Sequence, residues 1–427
     1  MTAKSAKHSR KSKPETAPTA AKASAPWIAE SYHRHLQLAV FVIGFILCGF
    51  ISIHLGQDNN WDLRNYHYYN PFAFLTDRLD FDFAPAQLQS YLNPLLDLPF
   101  YLGITYLPPK LLGFLMGGIH GLNIGLVFAT AFLLFRTLSP NLRLGLSIVC
   151  AALGSYAPIF IGELGASQND TLISLFALTA LYLFLKALAD HDSLSAPEAR
   201  NRVIIASLIF GMGVGLKLTL LIYAVGIAAA FLIVETSWSG RARVLLLWCG
   251  AFLIGFLITN GFWMAKLYHH FQNPLFPFYN QIFQSSWADP VSYADNRYLA
   301  ETFLQGLIRP FEIAFDNHYT QTQNMARDSR YAVIYGLLII SCLYWFAQRF
   351  LIKTDTMNVS RKSGKTLAFS KPELFLLVFF IVSYFIWQYK FSVIRYTSVT
   401  EQVGPLLIVL LLFKLISNGL LRTGILA

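Results

Sequence analysis

Residues 36–56 read LQLAVFVIGFILCGFISIHLG, without one Asp, Glu, Lys or Arg. An apolar stretch of roughly 20 residues is long enough to cross the hydrocarbon core of a bilayer as a helix. Further stretches of this kind lie at 109–135, 142–161, 170–189, 202–216, 218–235, 244–263, 331–350, 373–389 and 397–416. The sequence therefore predicts an all-α polytopic membrane protein with about ten transmembrane helices.

The composition of the whole chain supports this prediction. Of the 427 residues, 55% are hydrophobic and only 13% are charged, whereas about 25% of the residues in soluble globular domains are charged. A chain of this length could form two or three soluble domains, but it lacks the polar surface to cover them. The same composition excludes a disordered or coiled-coil chain.

The distribution of charge orients the predicted helices. When the predicted spans alternate, 22 of the 33 Lys and Arg residues fall on the side of the N-terminus. Because basic loops stay in the cytoplasm, both termini are predicted to be cytoplasmic, in an inner or plasma membrane. Residues 1–35 are predicted to form a disordered basic tail, and residues 36–427 the membrane domain. The net charge of +10 then reflects topology, and no nucleic-acid partner is expected.

The first and the fourth of the predicted outer loops are long, at about 57–108 and about 264–330, and both are rich in Tyr, Phe, Trp, Pro, Asn and Asp. Long loops of this composition usually carry function. The first loop opens with QDNNWDLRNYHYYNP at 57–71. If it is helical from its first Asp, four side chains share one face: Asp58, Asp62, Tyr66 and Tyr69.

Carboxylates beside Tyr hydroxyls at a membrane surface suit proton abstraction from a hydroxyl group, or binding of a metal or a sugar. The alternative is an interfacial aromatic belt with solvated acids. Amide and Tyr side chains match sugar hydroxyls, and the loop offers six candidate acceptor or sugar ligands: Tyr66, His67, Tyr69, Gln89, Tyr91 and Asn93. The pair Asp80 and Asp82 is predicted to form a turn with salt bridges to Arg78.

Two cations stand out because they lie on the charge-poor outer side. Lys217 follows the Gly-rich helix end at 211–216, and Arg395 lies in the last outer loop. Both are candidates for contact with an anionic phosphate, and the alternative is that they are snorkelling side chains. Asp170, at the outer end of a span, is a candidate second carboxylate for the same cavity as the first-loop acids. It could equally be a helix N-terminal charge that faces the macrodipole.

The order of these parts resembles the GT-C superfamily of membrane glycosyltransferases, which use polyprenyl-phosphate sugars. Acidic residues follow the first span, Gly215-Leu216-Lys217 stands with Thr219, and Arg395-Tyr396 lies in the last outer loop. The segment 61–97 is similar to a bacterial, mannosyltransferase-like branch, and the resemblance covers most of 36–416. The two first-loop acids are separated by three residues where the family has an adjacent pair, which leaves open which of them is the base.

The resemblance implies a hexosyltransferase in a GT-C-like arrangement. It would move a sugar from a polyprenyl-phosphate donor to a glycan, lipid or protein acceptor on the outer face, by an inverting displacement. Asp62 or Asp58 would be the base, Asp170 would orient the acceptor or a divalent cation, and Lys217 and Arg395 would bind the donor phosphate. No other cofactor is predicted, and the metal and the protein partners are unknown.

Two other classes stay open at this point. A polyprenyl-linked glycan polymerase or ligase would use basic residues of one large late loop, and the fourth outer loop carries four arginines: Arg297, Arg309, Arg327 and Arg330. A transporter or flippase should carry ionisable residues in mid-span, and the predicted spans are almost free of them.

Overall fold

The computed structural model describes residues 32–291, 293, 295–315, 327–347 and 369–417. Within these ranges the chain forms helices and turns, without a β-strand. The α-helices are α1 (His33–Leu55), α2 (Tyr69–Leu75), α3 (Leu98–Tyr106), α4 (Pro109–Leu134), α5 (Pro140–Ser155), α6 (Pro158–Gly162), α7 (Asp170–Asp190), α8 (Pro197–Leu216), α9 (Leu221–Val234), α10 (Trp238–Phe271), α11 (Asn280–Phe283), α12 (Phe303–Phe315), α13 (Arg330–Phe346), α14 (Lys371–Lys390) and α15 (Ser398–Ser417). Most of the predicted basic tail and parts of the fourth loop lie outside the described ranges.

Among the described residues, seven helices are long and apolar enough to cross a membrane: His33–Leu55, Pro109–Leu134, Asp170–Asp190, Pro197–Leu216, Trp238–Phe271, Lys371–Lys390 and Ile394–Ile416. This confirms an all-helical chain of the kind found in membranes. Two further apolar helices, Leu218–Val234 and Arg330–Phe346, are shorter. The span predicted at 142–161 is instead the 16-residue α5, followed by a new helix that begins at Pro158. The count of about ten spans stays a prediction.

Glycine lets pairs of helices approach closely. A Cβ atom at Gly121 of α4 would collide with the Gly44 carbonyl of α1. In the same way, a Cβ atom at Gly211 of α8 would collide with the backbone of α10, and one at Gly255 of α10 with the backbone of α8. Small residues that allow close backbone contact are typical of helix pairs in membranes.

Helices α7 and α15 form the centre of the bundle. Among the candidate spans these two have the largest buried shares, and the main hydrophobic core surrounds them. Phe184 of α7 packs edge to face against Phe231 of α9, which meets Phe375 of α14 in the same way. This packing fixes the ends of the helices relative to one another. Charged residues lie at the ends of two of these helices.

The first loop is not a continuous α-helix, so the prediction of a helix from Asp58 is wrong. Asp58 accepts a hydrogen bond from the Asn60 backbone N–H (3.1 Å), and this local turn competes with helix formation. The helical turn begins only at Trp61, and Leu63–His67 forms a π-turn before α2. Because a π-turn adds a residue to the repeat, the predicted common face of Asp58, Asp62, Tyr66 and Tyr69 is not formed.

The first loop docks on the end of α10. That helix has 34 residues and is about 50 Å long, which exceeds the hydrocarbon thickness of about 30 Å. Lys266 Nζ lies 2.6 Å from Asp77 Oδ1, and His270 Nδ1 lies 2.8 Å from Asp80 Oδ1. Trp263 Nε1 donates to the Tyr91 carbonyl at 2.9 Å. The Trp263 contact is buried, whereas both acids are more than half exposed, so the two ion pairs add little to the docking of the loop.

Candidate active site

Arg395 and Asp62 join the last predicted outer loop to the first. The Arg395 Nη1 donates a hydrogen bond to Asp62 Oδ2, although 333 residues separate them in sequence. Both side chains are largely buried. Arg395 lies in a 3-10 turn, Ile394–Thr397, directly before α15, and Asp62 lies directly before the π-turn. The contact therefore fixes the start of the first loop against the core helix α15.

Asp170 stands between two cations at the N-terminus of α7. Its Oδ1 lies 2.7 Å from Lys217 Nζ, and its Oδ2 lies 3.6 Å from Arg395 Nε. Lys217 also donates to the Gln168 carbonyl at 2.7 Å, so it is not a snorkelling side chain. We call Asp62, Asp170, Lys217 and Arg395 the four-charge cluster. It unites four residues that the sequence named as candidates, from four separate parts of the chain.

The C-terminal end of helix α8 determines the position of Lys217. Helix α8 ends at Leu216, and Lys217 adopts an extended backbone conformation. Asn93 of the first loop caps this end, because its side-chain amide donates to the carbonyls of Gly215 (3.0 Å) and Thr259 (2.8 Å). A helix C-terminus also favours a cation. Asn93 was predicted to bind sugar, but in the structure it anchors the helix end that carries Lys217.

Three hydrogen bonds fix the turn that holds Arg395. The Trp387 indole N–H donates to the Val393 carbonyl (2.7 Å), and the Tyr223 hydroxyl donates to the Tyr396 carbonyl (2.7 Å). The Ser398 hydroxyl donates to the Asp170 carbonyl at 3.1 Å. The turn is thus tied to α14, α9 and α7 at once, which holds the guanidinium in place.

The formal charges of the four-charge cluster sum to zero, because it contains two carboxylates and two cations. Burial of the Asp62 carboxyl raises its pKa, but the positive charge and hydrogen bond of Arg395 outweigh burial, so the net pKa lies below the usual value. Asp62 is therefore ionised at neutral pH. Buried charges persist in proteins when they are paired and hydrogen-bonded in this way.

A second polar group, His67 with Asp97, lies beside the cluster. The His67 Nδ1 is 2.7 Å from Asp97 Oδ1, and the Asn169 side-chain amide donates to the same oxygen at 2.6 Å. The rings of Tyr66 and His67 are 4.2 Å apart. Burial and the negative charge of Asp62 raise the pKa of the Tyr66 hydroxyl, so it stays protonated. Tyr66 and His67, both predicted ligands, thus neighbour the cluster.

Asp58, unlike Asp62, is not part of the four-charge cluster. Its Oδ2 accepts the Ser167 backbone N–H at 2.7 Å, and both of its oxygens accept from the Asn60 side-chain amide. The Asn60 amide also reaches the Ser167 hydroxyl at 3.1 Å. Asp58 therefore ties the first loop to the segment just before Asp170. The structure gives it the contacts of an anchor for that segment.

The remaining predicted ligands make their contacts elsewhere. The Tyr69 hydroxyl donates to Asp82 at 2.7 Å, and Arg78 pairs with the same carboxylate, which lowers the pKa of Asp82 to about 2. Of the two salt bridges predicted for Arg78 in that turn, the one to Asp82 is formed, whereas Asp80 pairs with His270 instead. Tyr91 packs in a separate apolar group with Trp263, Leu267, Phe271 and Phe276. The Gln89 carbonyl accepts from the Asn70 side chain at 2.8 Å.

Three polar residues of this region were not among the predicted site residues: Asp97, Glu163 and Asn169. Glu163 is fully buried, and its Oε2 accepts the Thr171 backbone N–H (2.9 Å) and hydroxyl (3.0 Å). Burial, followed by the negative charge of Asp170, raises the pKa of Glu163 to about 8. Asp97 and Glu163 each stand as an isolated polar residue in a mostly apolar segment, which is a signal that the sequence offers, whereas Asn169 lies in a polar run and offers none.

The described part of the chain contains no group of three or more His, Cys, Asp or Glu side chains that could hold a metal ion. The divalent cation that the resemblance implies stays a prediction. Comparison of the chain with protein-family models, with curated proteins and with solved structures found no match. The geometry of the cluster is therefore the basis for a functional proposal.

Proposed function

We propose that this protein is an integral membrane glycosyltransferase that moves a sugar from a polyprenyl-phosphate donor to a hydroxyl acceptor on the outer face. The observation that carries the proposal is the four-charge cluster. Its two cations and two carboxylates gather where helices long enough to cross a membrane end, and they are held there by hydrogen bonds from the first loop and the core helices.

The cations suit the leaving group of this reaction. When the C1–O bond of the donor breaks, negative charge develops on the polyprenyl phosphate, and preorganised cations stabilise it. Arg395 offers several N–H donors in a fixed plane, and Lys217 offers a point charge. Without donor, the carboxylates of Asp62 and Asp170 neutralise these cations. When the donor binds, its phosphate replaces the carboxylates in part as the partner of the two cations.

Spare hydrogen-bonding capacity inside the cluster supports a polar ligand. Arg395 Nε and Asp170 Oδ2 are both buried and lie 3.6 Å apart, which is too long for a hydrogen bond, and neither makes another hydrogen bond among the described residues. Buried polar atoms of this kind are usually paired in folded proteins. A phosphate oxygen next to the guanidinium would satisfy the donor, and a hydroxyl group of a sugar would satisfy the acceptor.

An apolar surface beside Lys217 suits the lipid tail. Leu218, Leu221 and Val225 follow the lysine at helical spacing, and each is exposed by more than a third of its surface. A prenyl chain that lies along this face would bring its phosphate to Lys217. A cation directly next to exposed apolar residues is the combination that a lipid phosphate requires.

The polymerase or ligase alternative has less support. Arg297, Arg309 and Arg330 of the fourth loop each pair with an acid close by in sequence. Arg330 also donates to the backbone carbonyls of Leu153 and Tyr156. These arginines hold loop structure together, whereas Lys217 and Arg395 are gathered from distant parts of the chain.

The transporter alternative would need ionisable groups along a path through the membrane. His120 is buried well inside α4, but its Nδ1 accepts a hydrogen bond from the Gly165 backbone N–H at 3.4 Å. Gly165 belongs to the same loop as Glu163 and Asn169. His120 therefore extends the polar region at one end of the bundle, as expected of a site at the membrane surface.

The test is transfer of radiolabelled sugar from a panel of synthetic polyprenyl-phosphate sugars by the purified protein in detergent. We expect the wild type to form product and Lys217→Ala to lose it, because the leaving phosphate loses a cation. Lys266→Ala is the matched control, since Lys266 pairs with Asp77 in a more exposed position away from the cluster. A wild type that binds no donor and forms no product from any member of the panel would overturn the proposal.

A further inference from the structure

We propose that His67 is the base that removes the proton from the acceptor hydroxyl, and that Asp97 and Asn169 are its positioning residues. This inference rests on the proposed glycosyl transfer, because it assigns the base within the same site. It differs from the sequence-based prediction, which gave the role to Asp62 or Asp58.

The hydrogen bonds of His67 define where its lone pair lies. Asp97 Oδ1 accepts the Asn169 amide at 2.6 Å and lies 2.7 Å from His67 Nδ1. Because this oxygen acts as an acceptor for both neighbours, Nδ1 carries a proton, and in the neutral imidazole the lone pair is then at Nε2. An imidazole that is oriented by a carboxylate behind it is the usual arrangement of a histidine base.

The Nε2 atom of His67 is a buried polar atom without a hydrogen bond to any described residue. His67 is only 3% exposed, and within the described part of the chain its Nε2 has no hydrogen-bond partner. Buried side-chain nitrogens normally have one. An acceptor hydroxyl that donates to Nε2 would provide it, and this is the contact from which a proton is transferred.

Two connections place His67 next to the donor phosphate site. The π-turn Leu63–His67 brings His67 one turn beyond Asp62, which holds Arg395. On the other side, Asn169 directly precedes Asp170, which holds Lys217. Single-turn π-helices are rare and occur often at functional sites. His67 is thus linked from both sides to the residues that hold the two cations.

The carboxylates are less suited to this role. Asp62 and Asp170 are both occupied by contacts with the cations. The positive charge of Arg395 also lowers the pKa of Asp62, which makes that carboxylate a weaker base. Asp58 is occupied by Asn60 and the Ser167 backbone. The groups that face the imidazole are Asp97 and Asn169 behind it and Tyr66 and Asp62 on its own segment.

In the proposed step, the acceptor oxygen forms a bond to C1 of the sugar while the bond from C1 to the phosphate oxygen breaks. The electron pair of the broken bond leaves with the polyprenyl phosphate, next to Lys217 and Arg395. The hydroxyl proton moves to His67 Nε2, and Asp97 stabilises the imidazolium. The imidazolium returns its proton to water after the products leave.

The test compares His67→Gln and Asp97→Asn with the wild type, for donor binding and for sugar transfer across pH 5 to 9. His270→Gln is the matched control, because His270 forms the same kind of pair with Asp80 at 2.8 Å on a more exposed part of the protein. We expect kcat of His67→Gln to fall by about 10²–10⁴-fold with a donor Kd within about twofold. Any pH dependence of the wild-type rate that comes from this base should be absent from the remaining rate of His67→Gln.

Asp97→Asn should bind donor normally and lose part of kcat, since the imidazole loses its orienting carboxylate. His270→Gln should match the wild type. If the wild type transfers sugar and His67→Gln keeps its kcat and its pH profile, this assignment is wrong and the glycosyltransferase proposal stands. If the wild type transfers no sugar, the proposed function falls, and the assignment falls with it. Normal donor binding by the variants establishes that they are folded.

Discussion

Among single residues, each member of the four-charge cluster has its own role in the proposed mechanism. Asp62 is placed as the partner of Arg395 and not as the base. Asp62 holds the Arg395 guanidinium in position, and in the proposed mechanism the donor phosphate would compete with this carboxylate. This division of roles can be tested with a variant that removes the charge of Asp62 and keeps its shape.

Asp62→Asn should bind the polyprenyl-phosphate donor more tightly, because the phosphate no longer competes with a carboxylate for Arg395. We expect Kd to fall by about tenfold, which corresponds to ~1.4 kcal/mol, while kcat falls less than in His67→Gln. Donor titration and single-turnover kinetics measure the two quantities separately. A Kd equal to that of the wild type with a kcat at least 100-fold lower would instead make Asp62 the base.

Glu163 provides a prediction about pH. Its pKa in the folded protein is raised from the ordinary 4.5 to about 8, so between these values the folded state binds more protons than the unfolded state. Stability must then decrease as pH rises through this range. Glu163→Gln, which is neutral at every pH, should show a smaller decrease in Tm between pH 5 and pH 8 in detergent. Parallel pH curves for the two proteins would contradict the burial of a protonated Glu163.

At the scale of helices, the site depends on the close packing of α8 and α10. Lys217 follows the last residue of α8, and glycines on both helices let the two backbones touch. A side chain added between them would displace α8. The position of Lys217 relative to Asp170 would then change, without any change to a charged residue.

Gly255→Ala is expected to destabilise the protein by about 1–3 kcal/mol, because the new methyl group collides with the α8 backbone. It should also weaken donor binding, through the displacement of Lys217. Gly250→Ala is the control on the same helix, since a Cβ atom there meets nothing within 4 Å; it should be neutral or slightly stabilising. Thermal unfolding in detergent compares the two variants, and equal Tm values would argue against the tight contact.

At the scale of the whole molecule, the sequence predicted the helical elements well, because an apolar run of sufficient length is a local property. The residues at the predicted site were also identifiable where a charge lies at the end of such a run, as with Asp170, Lys217 and Arg395. That these residues lie close together in the folded protein was predicted only through the resemblance to the GT-C superfamily. The pairing of Arg395 with Asp62 depends on contacts across 333 positions, which no local pattern contains.

The polar residues that the sequence did not identify were missed for the same physical reason. Asp97 and Asn169 lie 72 positions apart, and their hydrogen bond exists only in the folded chain. The first-loop helix was placed wrongly because the local turn at Asp58 delays helix formation until Trp61. The π-turn that follows then changes which residues share a face, and apolar periodicity gave no sign of it.

The most direct test of the central claim is a cryo-EM structure of the wild-type protein with a polyprenyl-phosphate sugar bound. We expect the donor phosphate to lie within hydrogen-bonding distance of Lys217 Nζ and the Arg395 guanidinium. The lipid tail should lie along Leu218, Leu221 and Val225. A phosphate bound instead at the fourth-loop arginines, away from Lys217 and Arg395, would contradict the account and favour a polymerase or ligase.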